Sequence, residues 1–517
     1  MKQYILKYTL PLFIIFAFAF SFFSSIEFLL NFSNDDSFFY IKTAYNFSQG
    51  FGSTFDKVDM TNGYHPLWFL ILSAYYFILN LFGSLSPETI FRFTVMLILF
   101  IDFVTLTVLY YFFKNSYPDG FKKYFILSIP LYLLLTGIRD FGMETHALCL
   151  LVSLYLYFKS AEPEENRSVI NVINAKCILL SLIFLARTDY LFTVIPVLIF
   201  ADYFTTDAVR RKKFLITSIK FLVITCLIYF TVNIIFFGSA MPVTAKIKST
   251  FPETIFFHNI GKLLEPGAVT NQFAKTAFTF LMIIVFLILF RIPGIRNKLT
   301  KTDYFLLGLC CAAAAYLLLN ILFNKHALKE WYVSFPAFVS SLLMIRMILL
   351  FPGTYYVSLI SFTLIFLFIF YITRIKNPKW NSAYYYAKKL KEITLPDDRI
   401  YMIDLTGITG FFSERNIING DGLINSNDYL EYLSSGNLRL YFKEKNVKYY
   451  STYSQDNAPM ALTESAGVYT DNKYSFTFGN YPFIFTEKDL ILKFPYYYSY
   501  IAGDGTGSWY LFKLNNN

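Results

Sequence analysis

Charge is what this sequence has least of. Only 15% of its 517 residues are charged, while 56% are hydrophobic and 21% aromatic. Soluble domains carry about a quarter charged residues, so a fully soluble chain is excluded and a polytopic membrane protein is indicated. Cysteine is sparse too. Cys149, Cys177, Cys226, Cys310 and Cys311 fall in apolar segments without CxxC spacing, which excludes a disulfide framework or a zinc site. The first apolar run, which follows Lys2 and Lys7 and ends near Leu30, lacks a small-x-small cleavage site and is long for a signal sequence. It reads as a retained span. No internal repeat relates the two halves, which weighs against a secondary transporter.

The apolar segments follow one another at 8–31, 66–83, 89–113, 123–138, 144–159, 172–186, 189–204, 214–237, 273–291, 303–323, 331–350 and 355–373. Several fall short of the ~20 residues a perpendicular helix needs. Two polar stretches interrupt them, 32–65 and 238–272. The net charge of +10 lies largely in short loops such as Arg210–Lys213 and Arg291–Lys301, as the positive-inside rule produces, so it implies no nucleic-acid partner. These loops belong in the cytoplasm, which puts 32–65, 238–272 and the C-terminal tail outside. That arrangement needs an odd number of crossings, about eleven or thirteen. From residue 375 to 517 the chain changes to charged residues, Gly-Asp turns and short β-rich runs, the pattern of a soluble α/β domain. Residues 1–374 form the transmembrane part.

The stretch Asn34–Trp68 opens with adjacent acids, Asp35 and Asp36. After them Phe38, Ile41 and Tyr45 share one helical stripe, with Lys42 elsewhere on the surface, which suits a helix lying flat at the membrane interface. Pro66 suits the first turn of the next helix and Trp68 an interfacial belt. A structural reading has Asp36 or Ser37 as a helix cap. His65 beside Pro66 reads as a turn residue at the edge of the loop rather than a metal ligand.

The paired acid, the interfacial helix and "GFGSTFD…TNGYHPLW" resemble the GT-C superfamily of membrane glycosyltransferases. The similarity is to bacterial arabinofuranosyltransferases, aminoarabinose transferases and protein O-mannosyltransferases. "GMETH" (Gly142–His146), "ARTDY" (Ala186–Tyr190), "FGSAMPVTAK" (Phe237–Lys246), Trp331-Tyr332 and the tail from Asp404 to Leu433 follow in order. The resemblance implies an all-α polytopic membrane fold with a soluble C-terminal domain. It also implies an inverting transfer of a sugar from a polyprenyl-phosphate donor to a glycan, lipid or protein acceptor.

Such a transfer needs a general base for the acceptor and cations for the departing phosphate. A positioned base contributes about 10²–10⁴ in rate. Family position makes Asp35 the base, with Asp36 as second choice or as a partner holding acceptor or a divalent metal. Lys246, Lys248, Arg187, His326 and Lys329, with Tyr332 beside them, are the phosphate candidates. An intramembrane charge costs roughly 2.5–3.5 kcal/mol, so Arg187, Asp189 and Glu144 are expected to face away from lipid, as an internal ion pair or as substrate contacts. Asp102 is left without a role. A lipid-linked polysaccharide ligase or polymerase is the competing enzyme reading, although that class would place its chemistry in a late, large loop. Of the sequons at Asn31, Asn46 and Asn166, two flank the acidic loop, where glycans in a eukaryote would obstruct substrate, which points to a bacterial inner membrane.

Overall fold

The computed structural model describes residues 2–135, 141–161, 166–265, 272–326, 328–374, 378–455, 462–465, 467–471, 482–500 and 503–514. The expected domain boundary at 375 and the end of the segment 123–138 lie outside them. Helices occupy the expected apolar segments, including Pro66–Asn80, Pro87–Ser116, Thr145–Ser160, Ala208–Phe237, Lys301–Phe323 and Glu330–Leu349. Among the described residues, Pro87–Ser116, Arg210–Phe237, Lys301–Phe323 and Glu330–Leu349 are long and apolar enough to cross a bilayer unaided. Shorter apolar helices accompany them, among them Ala274–Phe290 and Val194–Thr205. The fold is a helical polytopic membrane body with a C-terminal α/β domain.

The first span is shorter than expected. Its helix, Lys2–Phe23, stops before Ser24, and a short helix, Ile26–Leu30, restarts after Ser25, whose hydroxyl accepts the Phe28 N–H. Two serines in succession offer the backbone side-chain partners, which favours a cap over helix continuation.

The chain forms two compact units. One comprises Met1–Phe23, Val95–Tyr229 and Lys248–Ile372, and the other Ser24–Thr94, Phe230–Ile247 and Thr373–Asn517. In the first unit the buried ions are partnered. Asp202 accepts from Lys159, Lys176, Tyr155 and Thr206. Asp102 accepts from the Tyr132 hydroxyl at 2.5 Å and lies 2.7 Å from His146 Nδ1. Asp303 caps its own helix by accepting the Thr300 N–H at 2.7 Å, and it also receives the Tyr117 hydroxyl and a two-pronged contact from Arg346.

In the second unit the described residues of the C-terminal domain form the strands β1 (Arg399–Met402), β2 (Asn416–Asn419), β3 (Tyr449–Gln455), β4 (Leu462–Ser465), β5 (Val468–Asp471), β6 (Phe483–Thr486), β7 (Leu490–Tyr500) and β8 (Gly503–Lys513). The main sheet has the order β2-β1-β3-β8-β7, with β1 parallel to both β2 and β3, and β8 antiparallel to its neighbours. Tyr401, Ile418, Tyr429, Phe442, Tyr450 and Phe512 belong to its hydrophobic core. β1 has parallel partners on both sides, the arrangement in which the carboxyl ends of the strands commonly serve as a ligand site.

Asp303 is completely buried, so deleting Arg346 strands a charge. Arg346→Ala is expected to cost about 3–5 kcal/mol, read as a lowered unfolding temperature in detergent. Asp303→Asn with Arg346→Met should recover part of that loss.

Candidate active site

The helix Asp35–Ser48 begins the candidate site. Its start is capped by Asn34 and Ser37, the Ser37 hydroxyl accepting the Asn34 N–H at 3.3 Å. Neither acid is therefore the cap, and both sit in the first turn, where the helix dipole favours negative charge. The helix is covered by protein rather than exposed. Asp35, Ser37–Ala44 and Asn46 are buried, Lys42 among them. The tail supplies the cover, as the helix Thr406–Ser413 packs directly against it. Trp68 is also fully buried rather than interfacial, while Pro66 does open its helix and His65 takes the N-cap position.

Asp35 makes the decisive contact. One carboxylate oxygen accepts the Ile408 N–H at 2.8 Å and the other the Gly407 N–H at 3.1 Å. These N–H groups are available because the first turn of a helix has no internal acceptors for them. Burial pushes the Asp35 carboxyl up to about 8, opposed by the two N–H donors and reinforced by Asp36 and Asp404. A Cβ on Gly407 would stand 2.0 Å from the Asp35 carbonyl oxygen, so only glycine admits this approach. Two turns on, Lys42 donates to the Arg415 carbonyl at 2.9 Å and lies 4.6 Å from the centre of the Phe55 ring. Burial brings the Lys42 ammonium down to about 7, with Asp56 acting in the opposite direction.

The rest of the first loop and the start of the second join the same unit. Asn62 donates to Asn233 at 2.7 Å and accepts the Val243 N–H at 3.0 Å. A Cβ on Gly63 would be 2.0 Å from the Leu423 carbonyl oxygen. Asn427 donates to the Phe237 carbonyl and accepts from Lys246 Nζ at 2.7 Å, so exposed Lys246 ties the second loop to the tail.

Two further acids appear here that sequence reasoning missed. Asp404 follows β1 and Asp421 follows β2, at the carboxyl ends of parallel strands. Burial pushes Asp421 up to about 7, and both Asp36 and Asp404 raise it further. Asp36, Asp404 and Asp421 thus share one electrostatic field, with half-buried Asp36 at its first-loop side. The acids after "RIYM" and in "NGDG" carried a sequence signal, since strand ends in α/β sheets are where ligands bind. Among the described residues no group of three His, Cys, Asp or Glu side chains could hold a metal ion. Asp35 has both oxygens on backbone donors and does not fit as a ligand, so no step is routed through a metal at Asp35 and Asp36.

The other candidates lie in the first unit. Arg187 donates to Glu144 at 3.0 Å and to both oxygens of Asp189 at 3.2 and 3.1 Å. Its guanidinium lies 4.8 Å from the Tyr332 ring centre and 5.3 Å from that of Tyr316. Lys248 Nζ donates to the Tyr332 hydroxyl at 3.3 Å, and the Lys325 N–H donates to the Lys248 carbonyl at 2.7 Å. His326 is held down at about 4 by burial and by Lys248, Lys329 and Lys325. Lys248, Lys325 and Lys329 therefore form a cationic group around a neutral imidazole, beside Tyr332.

No protein-family model matches the chain, and no curated protein matches it in sequence. Solved structures do match in shape. The apo oligosaccharyltransferase of Archaeoglobus fulgidus aligns with a TM-score of 0.51 at 11% identity, over 87% of this chain and 70% of that one. The same enzyme with Zn and sulfate gives 0.45 at 11% identity, over 80% of this chain and 63% of that one, so less than two thirds of its length is spanned. ArnT from Cupriavidus metallidurans bound to undecaprenyl phosphate gives 0.42 at 13% identity, over 96% and 97%. At these identities the likeness speaks to the fold, which is of the GT-C type.

Gly407→Ala should push the two helices apart and destabilise the protein by about 1–3 kcal/mol or more, because the clash is with backbone. Gly294→Ala, which meets open space, should not. Thermal unfolding of both variants checks this. Asp35 also sets a pH dependence. Its folded pKa lies above its ordinary value of 3.8, so the native state binds the extra proton and stability falls as pH rises from about 4 through about 8. Asp35→Asn should flatten that slope, and parallel slopes in the two proteins would refute the assignment.

Proposed function

We propose that the chain is an integral-membrane glycosyltransferase that moves a sugar from a polyprenyl-phosphate donor to a hydroxyl or amine acceptor. Residues 1–374 form its transmembrane part and 375–517 a soluble domain on the same side as the first loop, outside a bacterial inner membrane. One observation carries the reading. The tail clamps the first-loop helix through Asp35 and leaves Asp36 in the field of Asp404 and Asp421.

Asp36, rather than Asp35, is the proposed base. Asp35 has both oxygens on N–H groups and is nearly inaccessible, so its task is to hold the helix. As the acceptor oxygen or nitrogen attacks the anomeric carbon, Asp36 takes its proton. The bond from the anomeric carbon to the phosphate oxygen breaks, and the lipid phosphate leaves with the electron pair. A single displacement of this kind inverts the anomeric carbon. Asp404 and Asp421 hydrogen-bond the acceptor's hydroxyls at the strand ends.

Within the first unit, Lys248 and Lys329 are the proposed anion-binding cations, with Tyr332 orienting Lys248. Arg187, neutralised by Glu144 and Asp189, keeps Tyr332 in place through its guanidinium face. Lys246 serves the acceptor side by holding Asn427. His65 and His326 shape their loops.

Asp36→Asn should abolish transfer from a polyprenyl-phosphate donor while the unfolding temperature stays near wild type. Asp35→Asn should lower stability as well as turnover. Lys248→Ala should raise donor KM more than it lowers kcat. An Asp36→Asn protein with full activity would end the assignment of the base.

A further inference from the structure

The helix Phe256–Leu263 lies in the second polar stretch and has three distinct faces. Asn259 and Leu263 point inward and are buried. The Asn259 amide donates to the Ile321 and Asn324 carbonyls, both at 2.9 Å, closing off the end of the long apolar helix Lys301–Phe323. The preceding backbone is fastened to that same end, with the Thr250 N–H on the Phe323 carbonyl and the Ile255 N–H on that of Leu322. His258, Lys262 and Glu265 make a polar edge, with Lys262 and Glu265 paired at 2.9 Å. The remaining stripe is Phe257, Ile260 and Leu264, at the i, i+3, i+7 spacing of one helical face. Phe257 is 87% exposed and Leu264 54%, and Phe251 just before the helix is 72% exposed.

An aromatic ring that exposed, on a segment pinned to the end of a spanning helix, needs an apolar solvent. Leu318 and Leu319, on the last turns of Lys301–Phe323, are exposed as well. A helix with an apolar stripe and a cationic edge is the kind that lies in the bilayer interface, its apolar face buried about 5–10 Å. We infer that Phe251, Phe257, Ile260 and Leu264 dock into the acyl chains of the surrounding phospholipid, with Lys262 and His258 at headgroup level. The docked segment also fixes a depth. Lys248 and Lys325 are joined backbone to backbone next to Asn324, on which Asn259 is fastened, so this foot holds their ammonium groups in the plane of lipid phosphates. The inference stands whether or not the chain transfers sugars.

Nitroxide labels on Phe257→Cys, Leu264→Cys and Lys262→Cys, each in the full chain in phospholipid nanodiscs, test it. The signal from the unsubstituted protein serves as the blank for its native cysteines. Collision with oxygen is expected to exceed collision with a water-soluble nickel chelate severalfold at 257 and 264, and the order should reverse at 262. Chelate-dominated collision at both 257 and 264 would place the stripe in water and overturn the inference. Labels shielded from both reagents would assign the stripe to a protein partner or a second copy, which also overturns it. The oxygen collisions at 257 and 264 should stay unchanged when undecaprenyl phosphate is added. If they appear only on that addition, the stripe serves the donor lipid rather than the bulk bilayer, and the inference fails.

Discussion

The second unit depends on a buried carboxylate placed on the first N–H groups of a helix. Asp35 reaches Gly407 and Ile408, residues 372 and 373 positions away in sequence. Such N–H groups have no acceptor within their own helix, and leaving them buried without one costs about 1–3 kcal/mol each. A carboxyl group meets two of them at once and, once ionised, also answers the positive end of the helix dipole. The same contact is costly for the acid, whose burial disfavours its charge. That opposition makes the contact sensitive to pH and intolerant of any side chain at Gly407. Lys42 repeats the logic with opposite sign, since a buried ammonium is accepted by the carbonyl of Arg415 just beyond the other end of that helix. Acid at the start and base at the end match the helix dipole twice.

The first unit solves a different problem with the same chemistry. A charge in an apolar body is tolerated when its hydrogen bonds are filled within the protein. Asp202 gathers two lysines, a tyrosine and a threonine, and Asp303 gathers an arginine, a tyrosine and its own helix start. Arg187 is satisfied by Glu144 and Asp189 in plane, while tyrosine rings cover its face. Around His326 the charged groups that act on it, Lys248, Lys329 and Lys325, are all cationic. An excess of one sign at a loop is the property an anionic ligand would use.

Much of the fold was legible because hydrophobic runs and turn residues act locally. The apolar segments became helices, Pro66 opened its helix, and the tail became strands separated by turns. What could not be read was the partner of each face. The stripe of Phe38, Ile41 and Tyr45 was visible, but composition cannot distinguish a face that meets lipid from one that meets another helix. The tail covers this helix on the sides expected to be free, which is why Lys42 is buried. Trp68 failed for the same reason, since an amphipathic ring suits an interface and a core equally. Asp404 and Asp421 were hidden because their significance lies in the parallel pairing of β1 with β2, a long-range fact. Ser24 and Ser25 carried a local signal that apolar neighbours on both sides obscured.

Adjacency explains how two identical side chains come to differ. Successive residues on a helix project about 100° apart, so neighbours in sequence do not face the same surroundings. Once Asp35 is turned toward Gly407 and Ile408, Asp36 must point along another direction. Asp35 is committed, and the rotation fixed by that commitment is what orients Asp36. The orientation of the second acid is therefore a property of the first acid's hydrogen bonds. On the proposed assignment of Asp36 as base, Asp35 would control its geometry without touching substrate, and the tail, by supplying the N–H groups, would set the angle at which the loop presents its carboxylate.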